Sequence, residues 1–191
     1  MTDQTWNVLL RDQMTWHWTH QLRPRLDGLT DDEYLWEPTP DCWSVHPGGS
    51  WAGAMTLDTE RTVSWPPPFT TVAWRLGHVI ADVFAARNAS HFGRAPVDRA
   101  TFPFAATAAG ALAQLDEEYA TWTAGVESLD EAGLARPCGE AEGPYADYPL
   151  AALVLHINRE VIHHMAEVCM LRDLYLHKQL NSHRQTRQEA S

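Results

Sequence analysis

The chain has 191 residues, 45% of them hydrophobic, which suffices for one substantial core and matches the usual size of one domain. Its 14 basic and 25 acidic side chains give a formal charge of -11, which repels phosphate backbones and anionic membrane surfaces and argues against nucleic-acid and membrane partners. There is no apolar run of the roughly 20 residues a bilayer span needs and no signal-like start. Cys42, Cys138 and Cys169 form no CxxC pair, so the expectation is a soluble, cytoplasmic protein without a disulfide framework or a cysteine-rich zinc site.

The first long helix is predicted from about Asp3 to Leu26. Trp6, Leu10, Met14, Trp18 and Leu22 recur every fourth residue and stack on one helical face, and Pro24 kinks or ends the helix. Thr30-Asp31-Asp32-Glu33 has the hydroxyl and carboxylate spacing of a capping box, which predicts a short helix through Trp36. From Glu37 to Phe69 the prolines and glycines break all periodicity. Trp43, Trp51 and Trp65 argue that this long insertion is ordered, with room for a short hairpin.

A second helix is expected from about Thr70 to Phe92 and a third from about Thr107 to Leu129. In the third, Ala108, Leu112, Leu115, Tyr119, Trp122, Val126 and Leu129 alternate spacings of three and four, the seam of a packed bundle helix. Pro149 suits a first helical turn, and the fourth helix then runs to about Leu176. Residues 177–191 are polar without an apolar face and read as a flexible tail on a single domain spanning 1–176. No strand pattern is long enough to build a sheet. The expected fold is all-α: an antiparallel four-helix bundle with a long irregular insertion between its first and second long helices.

The fourth helix carries the densest chemistry. With about 100° per residue, Leu150, Leu153, Ile157, Val161, Val168, Leu171 and Tyr175 share one arc, His164 lies near its middle and Glu160 at its side. A carboxylate there is costly unless it is paired or metal-bound, and Glu and His one turn apart can chelate one ion. An ordinary hydrogen-bonded pair would show the same spacing. His163 points about 100° away and is a weaker ligand candidate, and His156 shares the Glu160 side as a rim residue. A third ligand must come from another helix. His78, on a side lined by Trp74, Ala81 and Ala85 rather than on the stripe of Val72, Leu76, Val79 and Val83, is one choice, and periodicity allows His17 and His20 equally. His46 and His91 read as loop or helix-end residues.

WRLGHVIADVF around His78 and HINREVIHHMAEVCMLRDLY around Glu160 and His164 resemble the second and fourth helices of the DinB-like superfamily, which includes the metal-binding domain of mycothiol-dependent maleylpyruvate isomerase. The likeness extends over most of residues 3–176, including LTDDEYLWEPTPDCWSV. It implies a DinB-like bundle in which His78, Glu160 and His164 hold one divalent ion. Where many members have a histidine at the first ligand position of the fourth helix, this chain has Glu160, similar to the isomerase type. The isomerase's second domain has no counterpart here, which puts maleylpyruvate in doubt as substrate.

Two imidazoles and one carboxylate leave coordination positions open, as in catalytic zinc sites, and Ni²⁺ or Fe²⁺ suits the same donors. The implied activity is a metal-dependent S-transferase that activates mycothiol or a related low-molecular-weight thiol against a small electrophile. The alternatives are metal-dependent hydrolysis or sequestration of a small toxic compound, and a non-catalytic binding module in which Glu160 and His164 are internal polar packing. The substrate pocket is expected between the metal face and the insertion, with Trp43, Trp51, Trp65 and Trp74 as candidate walls. Glu167, a further turn along, is a candidate outer partner of the ligands or a salt-bridge partner of a nearby arginine. Arg172 and Asp173 are expected at the surface or in a homodimer contact.

Overall fold

The computed structural model describes residues 5–49, 52–59 and 65–189; Trp51 lies outside them. The first long segment is α1 (Trp6–His17), continued by a π-helical turn (Trp18–Leu22) and a 3-10 turn (Arg23–Leu26) with Pro24 inside it. After α2 (Asp31–Tyr34), the insertion contains an antiparallel hairpin of β1 (Val45–Pro47) and β2 (Met55–Leu57), with Val45 opposite Leu57. The second long segment joins α3 (Val72–His78), a π-helical stretch (Val79–Ala85) and α4 (Ala86–Phe92). Then come α5 (Ala108–Glu127), the short α6 (Glu131–Ala135), a 3-10 segment (Glu140–Tyr145) and α7 (Leu150–Glu189). The result is the all-α bundle, with the small hairpin as an addition. Among the described residues no helix is long and apolar enough to cross a membrane.

Helix starts are set by side chains that satisfy free amides. Thr5, Thr30, Thr71, Thr107 and Asp130 each accept from the backbone N–H three residues on. The second half of the capping box at Thr30 does not form, because the Glu33 carboxylate is turned inward to Arg172.

One core joins the long segments. Met14, Trp18 and Leu22 from the first, Leu76, Val79, Val83 and Phe84 from the second, Leu115, Trp122 and Val126 from α5, and Leu150, Ile157, Val161 and Val168 from α7 are all buried. Each such large apolar side chain contributes about 1.5–3 kcal/mol on burial. Three expectations are corrected. Trp6 is 68% exposed, and the buried residue of that turn is Asn7, whose amide donates to the carbonyls of Val126 and Leu129 at 2.7 and 2.9 Å where α5 ends. The last helix does not stop at Leu176 but continues to Glu189, because helix-favouring residues carry the backbone ladder on without an apolar face.

The third correction concerns Arg172, which is interior rather than a surface or dimer residue. Its guanidinium makes a two-pronged ion pair with Glu33 at 2.7 and 3.1 Å and donates to the carbonyls of Arg25 and Asp27. The side chains are 8% and 2% exposed. The pair ties α7 to the chain on both sides of Gly28, whose φ of +73° a glycine adopts without strain. Asp173 does lie outside, paired with Arg25 at 2.7 Å.

The insertion docks on the start of α3. Trp43 donates its N–H to the Phe69 carbonyl at 2.8 Å, and Thr71 donates to the Trp43 carbonyl at 2.9 Å. The hydroxyls of Ser44 and Thr71 lie 2.9 Å apart, both residues buried. Thr71 is therefore both the cap of α3 and the anchor of the insertion, which fixes the start of the helix that carries His78.

Candidate metal centre

Burial of Val72, Leu76, Val79 and Val83 turns Arg75, His78 and Asp82 to the rim of the bundle. On α7, burial of Ile157, Val161, Met165 and Val168 does the same for Glu160, His164 and Glu167. Because α3 packs against α7, the two rims meet. His78, Glu160 and His164 each bring one donor atom to within 4.8 Å of the others. The His78 and His164 rings stand edge to face with centroids 4.7 Å apart, and His164 Nε2 is 3.4 Å from Glu160 Oε2. The side chains are 23%, 27% and 12% exposed for His78, Glu160 and His164, so the cluster is partly buried and still within reach of solvent.

Each histidine is backed by a carboxylate. Asp82, one turn beyond His78 and inside the π-helical stretch, holds His78 Nδ1 at 2.9 Å, and Glu167 holds His164 Nδ1 at 2.9 Å. An ionised carboxylate only accepts, so these contacts favour the proton on each Nδ1, the 2.9 Å approach of Glu167 to His164 Nδ1 being closer than the 3.2 Å approach of the Arg75 donor, and each Nε2 lone pair is then left for a metal. Burial, the largest influence, pushes the His164 pKa below 6.5; the hydrogen bond it donates to Glu167 pushes it back up, and His78 and Arg75 lower it further. The neutral imidazole that a metal requires is thus the favoured form. This nitrogen and oxygen donor set, with oriented and partly buried imidazoles, fits a divalent cation.

Two arginines complete the arrangement. Arg99, from the segment after α4, forms an ion pair with the same Asp82 oxygen at 2.9 Å. Arg75 is 3.0 Å from Glu167 and 3.2 Å from His164 Nδ1, with its guanidinium over the Trp74 ring. Burial lowers the pKa of Arg75, and Glu167 opposes that shift. Arg75 also separates two candidate groups. His163, His164 and Glu167 are likewise close enough to share an ion, but the guanidinium already neutralises Glu167 and faces His164 Nδ1. His163 is itself 65% exposed, so the first group is the better cation site.

The remaining histidines fall elsewhere. His156 lies on the rim 3.6 Å from Glu160 Oε1, and His46, in β1 of the hairpin, pairs with Asp58. The His91 side chain is buried in the last turn of α4 against Glu142. Among the described residues His17 and His20 join no metal-competent group: burial lowers the His17 pKa, and His20 stacks on Trp16.

Trp74 stacks on His78 with centroids 5.4 Å apart, Trp43 contacts Trp74 at 5.7 Å, and the Trp74 indole N–H donates to the Asp58 carbonyl. Trp43 also lines a concavity of about 400 Å³ on the insertion, with Glu37, Asp41, His46 and Asp58. This hollow does not include the three candidate ligands; the two tryptophans link it to His78. Trp65 is 92% exposed and lines neither. Asp82, Arg75 and Arg99 were not picked out from sequence. The four-residue spacing of His78 and Asp82 was the available signal; Arg99 had none.

The fold and these residues define an all-α bundle with a candidate mononuclear metal centre at the rim between its second and fourth long helices. The chain belongs to the DinB superfamily, whose family model matches residues 13–168, and metal binding is general in that superfamily. No curated protein and no solved structure matches the chain.

Proposed function

We propose that this protein is a metal-dependent S-transferase of the DinB superfamily, joining a low-molecular-weight thiol, mycothiol or a relative, to a small electrophile. The observation that carries the reading is the convergence of His78, Glu160 and His164 with both Nδ1 atoms held by carboxylates. His78 and His164 would hold the ion through Nε2 and Glu160 through a carboxylate oxygen, with zinc the best match to the donors and Ni²⁺ or Fe²⁺ next. When bound, a divalent ion supplies Lewis acidity, which lowers the pKa of a thiol at the open position.

The protein's own thiols are poor nucleophiles for this role. Cys42 is buried and donates to the Thr39 carbonyl, and burial raises the pKa of both Cys138 and Cys169. None belongs to the metal-competent groups among the described residues. The sulfur would therefore come from the thiol: its S–H bond breaks, the proton leaves to solvent, and the sulfur bonds to the electrophilic carbon, which either expels a leaving group with its electron pair or, at a conjugated double bond, passes the π pair to the neighbouring carbon, where solvent supplies a proton. Asp82 and Glu167 hold the imidazoles in one tautomer throughout, and the partial burial of the cluster limits competing water.

The test is elemental analysis of wild type beside Glu160→Ala and His164→Ala, purified without a metal-chelating tag, followed by conjugation assays with a panel of thiols and electrophiles. Near-stoichiometric metal that is lost in both variants, with turnover that needs both metal and thiol, is the expected result. A fully loaded protein that turns over without thiol would point to hydrolysis instead. Absence of metal after reconstitution would leave a non-catalytic bundle.

A further inference from the structure

Beyond the three candidate ligands, the geometry points to Arg75 and Arg99 as positioning residues that set the net charge of the centre, so that it takes an anionic ligand in preference to a neutral one. The inference rests on the metal reading above. Each candidate histidine heads the same sequence of groups: His78, Asp82 and Arg99 on one side, and His164, Glu167 and Arg75 on the other. The two arms come from different places. Arg99 reaches in from the segment between α4 and α5, whereas Arg75 crosses from α3 to α7.

A carboxylate behind an imidazole does two things: it orients the ring and it adds negative charge. A guanidinium on the same carboxylate keeps the first effect and cancels the second. Asp82 Oδ2 shows this at one atom, since it is hydrogen-bonded to His78 Nδ1 and ion-paired with Arg99 Nη1, each at 2.9 Å. Glu167 Oε2 repeats it, 2.9 Å from His164 Nδ1 and 3.0 Å from Arg75 Nη1. With both outer carboxylates paired to arginines, Glu160 is left, among the described residues, with two imidazoles as its nearest partners, His164 at 3.4 Å and His156 at 3.6 Å, which balance its charge only when protonated. Arg159 comes only to 4.0 Å from it and is 71% exposed, so water screens that contact. A divalent ion would then leave one net positive charge, in a site where partial burial strengthens the attraction for an anion. Without the arginines, the same ligands and the same ion would carry a net negative charge and repel one. This provides a reason for a thiolate to be retained beside the ion and for the thiol to release its proton there.

The test uses full-length protein loaded with Co²⁺, with metal content checked by elemental analysis, and azide as the probe read from the cobalt visible spectrum. Arg75→Gln and Arg99→Gln are each expected to weaken azide binding about tenfold, from the loss of one nearby charge at partial screening. Arg99→Lys, which keeps the charge with a different shape, is expected to retain most of the affinity. Arg94→Gln is the control: Arg94 lies in the same segment as Arg99 but pairs with Glu117 and Glu118, so its loss should leave azide binding unchanged. Equal azide affinity in all loaded variants overturns the inference and leaves the metal reading intact. So does an Arg99→Lys variant as weak as Arg99→Gln, because the role would then be one of shape. Failure of the wild type to take up Co²⁺ overturns the metal reading itself, and the inference with it.

Discussion

Replacing Asp82 by Asn keeps the shape of the side chain and removes its charge. In the native protein Asp82 Oδ2 accepts from His78 Nδ1 at 2.9 Å and is ion-paired with Arg99 Nη1 at 2.9 Å, which holds His78 in the tautomer that exposes Nε2. Asparagine offers one carbonyl acceptor and an NH2 group, and an NH2 group facing Nδ1 would move the ring proton to the atom the metal needs. Loss of such an outer partner costs about 10–100-fold in metal affinity. At free metal a hundredfold above the native Kd, binding stabilises the fold by about 2.7 kcal/mol, and a hundredfold weaker site retains about 0.4 kcal/mol. The difference, about 2.3 kcal/mol, corresponds to a Tm loss of about 5–9 °C for a chain of this size. The assay is competition against a chromophoric chelator, paired with melting curves at fixed free zinc. Asp58→Asn is the comparison, since Asp58 binds His46 and the Ser44 N–H away from the cluster and should leave metal affinity unchanged. Unchanged zinc affinity in Asp82→Asn would refute the reasoning, as would an equal loss in Asp58→Asn.

Arg172→Met should be strongly destabilising, by about 3–5 kcal/mol in urea unfolding, because it leaves the Glu33 carboxylate buried without its partner; the double variant Glu33→Gln/Arg172→Met should recover much of that loss, and an additive result would count against the pairing. Gly125→Ala should cost about 1–3 kcal/mol by overpacking despite alanine's better helix propensity, since a Cβ there would lie 2.3 Å from the Phe92 ring; a stabilised variant would contradict the close approach of α4 and α5. For metal-free protein, burial holds the His164 pKa below its unfolded value of 6.5, so the unfolded chain takes up the proton first. That stability contribution is intact above pH 6.5 and declines as pH falls from 6.5 to the folded pKa. Urea midpoints across pH 7.5 to 5 should decline less steeply in His164→Gln than in wild type, and parallel curves would refute the assignment.

Sequence by itself determined what is local and periodic. The apolar seam of α5 and the arcs of α3 and α7 were legible because a helix repeats its buried face every three to four residues, and the same arithmetic put Glu160 and His164 one turn apart. The Thr30 cap marked α2, and the proline and glycine breaks marked the insertion, with room for its hairpin. His78 could be selected over His17 and His20 only by resemblance, since all three sit at positions periodicity permits. Tertiary structure decided what depends on contacts between distant segments. Glu33 and Arg172 are 139 residues apart, and nothing in either local pattern distinguishes an interior ion pair from two surface charges. Arg99 meets Asp82 only because the segment after α4 folds back along the helix, and Arg75 meets Glu167 only because α3 packs on α7. Trp6 went the opposite way: its spacing placed it on the buried stripe, but in that turn the interior position at the end of α5 belongs to Asn7, whose amide donates to two carbonyls there where an indole has only one N–H to offer.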